Sequence, residues 1–289
     1  MSLCEYCDQK TGWFQSTHPA CVAKAGSTGQ VVRQLVIDKV WAGGSLADIT
    51  SGVAKLSSDN RVKEQYVREA ILDGLSFVAG EMAKKSPVSD DEYRRIEPIL
   101  SGYQYKADPS KKRFGTLELS LSNMLWQASN NILPLWGDAP AFNLRAGEVL
   151  CFQAGGVIYA EEKTVSTGRG YGGLSVPVGL GMYAHVGQSQ AQKVTGLMPL
   201  DGGQLAITSE NVYFSGQNTT LQIPLRRVIR YQGYVDAIGI CESHGAPKVF
   251  TFYQNCEFPD GRYMRNATGY DLGWFLYPFL TALTTRLIP

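Results

Sequence analysis

Several shortages narrow the reading before any motif is considered. The formal net charge is only +1, so there is neither a basic excess to support general nucleic-acid binding nor an acidic tail. No apolar run approaches the roughly 20 residues that span a bilayer. The most apolar stretch, Leu272 to Leu283, is broken by Pro278 and closed by Arg286, and reads as a buried helix. Histidine is scarce, at 3 residues, and no G-x-S-x-G nucleophile elbow occurs. No internal repeat or low-complexity tract stands out. No basic region followed by an apolar run marks a signal peptide, so the expected location is the cytoplasm.

What is present is a composition of 44% hydrophobic and 18% charged residues, which excludes a disordered or fibrous chain. The length allows two or three compact units. Six cysteines in a long chain without a secretory start argue against a disulfide framework. Three of them cluster with His18 near the start, which points to a metal instead. Cys4-x2-Cys7 is followed after ten residues by His18-x2-Cys21. Two close pairs on short turns, joined by a short arm, are what tetrahedral coordination needs. Thiolate and imidazole donors select zinc over hard cations. Four protein ligands leave no open position for water, so Cys4, Cys7, His18 and Cys21 are expected to form a structural zinc site. Trp13 and Phe14 lie between the pairs and could pack against the metal.

The organisation changes along the chain. Residues 1–26 are short, polar and rich in Cys and His. Residues 27–137 read as helical: Val31, Val32, Leu35, Val36 and Val40 recur at helical spacing, as do Val67, Ile71, Leu75 and Val78. Ser57 to Arg61 is expected to cap the second of these helices. Ser89, followed by Asp90, Asp91 and Glu92, is a helix start, and Leu117, Leu121, Met124 and Leu125 suggest one more helix. From residue 141 short β-rich runs alternate with glycine turns. The expected runs are 148–153, 157–160, 182–186, 204–208, 212–215, 220–223, 237–241 and 249–253, followed by a helix over 270–287. The turns are expected at Ala154-Gly155-Gly156, Asp201-Gly202-Gly203 and Gly216-Gln217-Asn218.

Two motif matches are accidental on chemical grounds. Gly168, Gly170 and Gly173 fit G-x-G-x-x-G, but Pro177 does not suit the helix that a pyrophosphate needs. Cys256 and Arg262 fit C-x5-R, but Glu257 and Asp260 between them would repel a phosphate dianion. His185 sits in a strand-like run and His244 in a turn, neither with a nucleophile pattern. The chain is expected not to be an enzyme. Arg169 and Tyr171 stand among the glycines of a long loop, 163–181, and are the residue types that most often anchor interfaces. They are the candidate partner-binding residues; the alternative is that the glycines serve a tight strand crossing.

The segment Gly202-Gly203-Gln204-Leu205-Ala206-Ile207-Thr208, with Ser209-Glu210-Asn211-Val212-Tyr213-Phe214-Ser215-Gly216 after it, resembles bacterial pleckstrin-homology-like (PH-like) domains and their GRAM relatives. Thr220 to Val228 and Val235 to Ile240 look like the strands that follow. The resemblance covers 141–289; it implies a β-barrel capped by the C-terminal helix and a role in recognition. Lipid-binding members carry Lys and Arg in the first hairpin, here expected at Phe152 to Val157, where no cation stands. Ile71-Leu72-Asp73-Gly74-Leu75 together with Asp90-Asp91-Glu92 looks like a TerB-type helical module, and Cys4 to Cys21 like a Cys3His zinc ribbon.

The expected architecture is therefore α+β and multi-domain. It comprises a zinc-binding module at 1–26, an all-α region at 27–137 and a PH-like barrel with a C-terminal helix at 141–289. The expected function is that of a non-enzymatic adaptor or scaffold binding another protein. The alternatives are peripheral membrane or lipid binding through the barrel, and nucleic-acid binding through the zinc module. The last is disfavoured because Lys10 and Lys24 are offset by Glu5 and Asp8.

Overall fold

The computed structural model describes residues 3–6, 9–12, 16–84, 87–105, 116–136, 142–166, 176–177, 183–184, 193–252, 256–257, 263–264 and 272–287. It is a mixed α+β protein whose contacts divide it into two units, Met1–Trp126 and Gln127–Pro289. Among the described residues no helix is long and apolar enough to cross a membrane.

The first unit is helical. Helix α1 (Pro19–Trp41) buries Ala25, Thr28, Val32 and Val36, a spacing of three or four residues that forms one stripe. Helix α3 (Glu64–Lys84) answers with Val67, Ile71, Leu75 and Val78, all buried. Gly74 marks where the two helices meet, because a Cβ there would lie 3.0 Å from the Arg33 carbonyl oxygen and 3.1 Å from Val36 Cβ. Helix α4 (Asp90–Gly102) starts at Ser89 as expected, with a reciprocal capping box to Glu92. Helix α5 (Thr116–Ser129) pins that start: Ser122 Oγ accepts from the Val88 N–H at 3.1 Å, and Asn123 Nδ2 donates to the Val88 carbonyl at 3.2 Å.

Two expectations fail here. Helix α2 (Leu46–Asn60) occupies the segment Ser57 to Asn60, which was expected to cap the following helix. Helix α2 itself is capped by Ser45 in a capping box with Asp48, and it ends at Arg61 in the left-handed conformation, φ 52°. The boundary placed near residue 26 falls inside α1, which runs unbroken from Pro19.

The second unit is an antiparallel sheet with a helix. Its main strands are β1 (Leu150–Ser166), β4 (Lys193–Thr208), β5 (Asn211–Gly216), β6 (Thr220–Pro224), β7 (Val228–Gly233), β8 (Ala237–Glu242) and β9 (Lys248–Thr251). They form one open seven-stranded sheet in the order β6-β5-β4-β1-β9-β8-β7. Two short pairs lie outside it, β2 (Val176–Pro177) with β3 (Tyr183–Ala184), and β10 (Cys256–Glu257) with β11 (Tyr263–Met264). Helix α6 (Gly273–Thr285) follows. It buries Phe275, Leu276, Phe279, Leu280 and Leu283, and Phe275 packs on Phe152 of β1 at 5.5 Å between ring centroids.

The two glycine segments expected as turns are strand interior. Ala154-Gly155-Gly156 lies within β1, where the register shifts between Ala154 and Val157, so the glycines accommodate a bulge. Gly202 and Gly203 pair with Ile158 and Val157. Gly203 is required by its neighbour: a Cβ there would sit 2.1 Å from the Ser215 carbonyl oxygen of β5. Consequently Phe152 to Val157 is no hairpin, and its lack of cations says nothing about phosphoinositides. Strand β7 was not expected at all. Gly216-Gln217-Asn218 is a turn, between β5 and β6.

Candidate metal centre

The N-terminal segment doubles back on itself. Leu3 and Lys10 form an antiparallel bridge, and the Cys4 N–H donates to the Gln9 carbonyl at 2.8 Å. Cys4 is fully buried by this fold. Cys7, expected as the second ligand, lies outside the described residues, as do Trp13 and Phe14. The chain then returns to enter α1. His18 is the N-cap, Pro19 takes the first helical turn, where its missing N–H costs nothing, and Cys21 follows three residues after the cap. One helical turn thus carries His18 and Cys21 on the same face.

Cys4, His18 and Cys21 can hold a metal ion: their ligand atoms all lie within 4.8 Å of one another. Among the described residues no other group of three or more such side chains does so. Cys21 Sγ is 3.8 Å from His18 Nδ1. Zinc–sulfur and zinc–nitrogen bonds at a tetrahedral angle give an edge of about 3.6 Å, so this pair is already near bonding geometry.

The histidine tautomer follows from its other nitrogen. His18 Nε2 lies 3.2 Å from the Lys10 carbonyl oxygen, which can only accept, so Nε2 carries the proton. That leaves the Nδ1 lone pair facing Cys21. A backbone carbonyl holding the far nitrogen is the usual outer-shell support of a metal-binding histidine. The site is also tied to the helical core. Tyr66 of α3 donates its hydroxyl to the Glu5 carbonyl at 3.0 Å and stacks on Tyr6 with centroids 4.1 Å apart.

The acidic run at α4 has another use. Asp90 accepts from Asn123 Nδ2 at 2.9 Å and Glu92 closes the capping box, so both serve the helix start. Arg169, Tyr171, the G-x-G-x-x-G segment, His185, Arg262 and the side chain of Cys256 lie outside the described residues. His244 is exposed in the turn after β8.

Two carboxylates in the second unit escaped sequence reasoning. Glu148, just before β1, is buried and receives four donors. Thr208 Oγ1 and Asn211 Nδ2 (2.8 Å) meet Oε1, while the Arg145 N–H (3.0 Å) and the Tyr213 hydroxyl (3.0 Å) meet Oε2. Burial alone would raise its pKa, but the bonds from Asn211, Thr208, Arg145 and Tyr213 together outweigh it and hold the carboxyl below its ordinary value. Asp201 gathers the β5–β6 turn. It accepts from the backbone N–H of Asn218 and Thr219 (both 2.7 Å), Gly202 (2.9 Å) and Gln217 (3.3 Å), bonds that lower its pKa, the one from Asn218 most. Elsewhere burial pushes the Cys151 thiol up to about 12. Burial, then the bond to Glu148, does the same to the Tyr213 phenol, up to about 12. Neither carboxylate stands in a recognisable motif; a lone acid beside a turn was the available signal.

The chain matches no known protein-family model, and no curated protein matches it significantly.

Proposed function

We propose that this chain is a non-enzymatic adaptor. A structural zinc ion on Cys4, Cys7, His18 and Cys21 locks the start of its helical unit, and a PH-like sheet unit binds another protein. Three soft donors converging at one helix start support the zinc reading. The zinc-ribbon resemblance adds Cys7 as the fourth donor, which closes the coordination sphere. A long β1 joining a four-strand meander to a three-strand meander, with a helix after them, is in keeping with the PH-like resemblance. The TerB-like reading of 27–137 assigns the helices a supporting role.

One observation carries the adaptor reading over an enzymatic one. Among the described residues, burial pushes the Cys151 thiol and the Tyr213 and Tyr231 phenols up to about 12, while hydrogen bonds hold the Glu148 and Asp201 carboxyls below their ordinary values. A thiol or phenol raised this far stays protonated at neutral pH and makes a poor nucleophile or base. Arg169 and Tyr171 are proposed as one partner contact of the sheet unit.

The test is capture from the native host with the full chain as bait, run beside flotation with anionic vesicles. The expected result is a reproducible protein partner, weakened by the double change Arg169→Ala and Tyr171→Ala, and no flotation. Flotation without a protein partner replaces this reading with peripheral membrane binding.

A further inference from the structure

The open sheet has two edges, β6 and β7, and their chemistry differs. An exposed edge is a row of unpaired backbone N–H and C=O groups that invites another strand. Strand β6 is blunted: Thr220 and Gln222 face water and Pro224, which lacks an N–H, ends the strand. Strand β7 is not. It runs Val228-Ile229-Arg230-Tyr231-Gln232-Gly233, rich in strand-forming residues, and pairs only with β8 among the described residues. Ile229 is 71% exposed on it, and Val235, just past its end, is 68% exposed. The side chain of Tyr277 on α6 borders Gly233, where a Cβ would lie 3.5 Å away, and is itself 46% exposed.

The charge along this edge has one sign. Arg226 and Arg227 form the turn that leads into β7, and Arg230 lies within it; all three are exposed. None is ion-paired among the described residues, although Arg230 reaches Cys241 Sγ at 3.8 Å. Glu242, opposite Val228, is engaged by Lys248 at 2.5 Å. Three guanidinium groups without an ion pair among the described residues, beside a strand whose outer edge is unpaired among them, describe a partner: an extended segment bearing carboxylates alternating with apolar side chains.

We propose that β7 receives an extended acidic segment of another protein as an added strand, with Ile229 and Tyr277 contacting its apolar residues and Arg226, Arg227 and Arg230 its carboxylates. This rests on the adaptor reading and names the chemistry of its partner. Backbone hydrogen bonds supply sequence-independent affinity in such strand addition, and alternate side chains supply the selection. A bilayer surface meets the arginines equally well but offers no ladder of N–H and C=O groups to the edge, which favours a peptide.

The full chain is tested with three probes: a soluble peptide of alternating valine and glutamate, its lysine counterpart, and phosphatidylcholine vesicles containing phosphatidylserine. The glutamate peptide alone is expected to bind, to slow hydrogen exchange at the amides of β7, and to bind more weakly as salt rises. The double change Arg227→Glu and Arg230→Glu is expected to weaken it about tenfold, and the uncharged Ile229→Asn to weaken it without touching the arginines. If those changes disturb folding, Arg226→Ala with Arg227→Ala, which lie outside the strand, gives the same readout. No binding of the glutamate peptide, binding that leaves β7 exchange unchanged, or vesicle capture in place of peptide binding each overturns the proposal. A host partner whose exchange footprint spares β7 also overturns it, while leaving the adaptor reading intact.

Discussion

Replacing Glu148 with glutamine alters one buried oxygen and leaves the shape of the side chain intact. With its amide oxygen in the place of Oε1, glutamine keeps Thr208 and Asn211 as donors. Its NH2 group then faces the Arg145 N–H and the Tyr213 hydroxyl. The hydroxyl can rotate and accept; the backbone N–H cannot, so one partly buried donor loses its partner. An orphaned donor costs about 1–3 kcal/mol, and loss of the charge weakens the remaining bonds by about 1 kcal/mol more. Glu148→Gln is therefore expected to destabilise the second unit by about 2–4 kcal/mol, a fall in Tm of about 5–15 °C for a unit of this size. The sign with pH follows from the depressed carboxyl. Its contribution is fully present above the unfolded value of about 4.3 and is lost as pH falls through the lower folded value. Denaturant melts of both proteins from about pH 7 down to about pH 3 should converge at the acid end. A variant within about 0.5 kcal/mol of the parent at neutral pH, or a difference that persists unchanged in acid, would refute the idea that this carboxylate organises the β4–β5 junction.

Gly216→Ala would place a Cβ 2.3 Å from Asp201 Oδ2, so the turn must give up part of its capping. A loss of about 1–3 kcal/mol is expected in thermal melts, and an unchanged melting point counts against the close approach. Ser45→Ala removes the capping box of α2 and should cost about 1 kcal/mol in the helical unit, read by hydrogen exchange in 46–60. Protection there equal to the parent's would show that packing alone sets that helix start.

Much of this architecture was legible where periodicity was strong. The stripes on α1, α3 and α4 each bury at least three large apolar residues, and Ser89 announces its helix. Helix α2 was hidden because Ile49 and Val53 are its only fully buried apolar residues, diluted by Ser, Gly and Asp. Its Ser45-x-x-Asp48 box was the signal to heed. Glycines misled in the sheet: in β1 and β4 they permit a bulge and a close strand approach, and only the pairing partner tells such glycines from a turn. Strand β7 lacks an apolar alternation because it lies at an edge. At the metal centre, spacing alone named Cys4, His18 and Cys21. Support from the Lys10 carbonyl and Tyr66 was invisible, since a backbone oxygen has no sequence signature and α3 is distant in the chain.

The central claim is a zinc ion that fastens the start of α1 to the helical core. Elemental analysis of the purified chain, joined to X-ray absorption at the zinc edge, tests it most directly. The account predicts about one zinc per chain, with three sulfur neighbours at about 2.3 Å and one nitrogen at about 2.0 Å. Cys21→Ser should lose the metal and the exchange protection of the first turns of α1, while the sheet unit melts as before. A chain that binds no zinc, a shell of oxygen ligands, or an α1 start that stays protected without metal would contradict it.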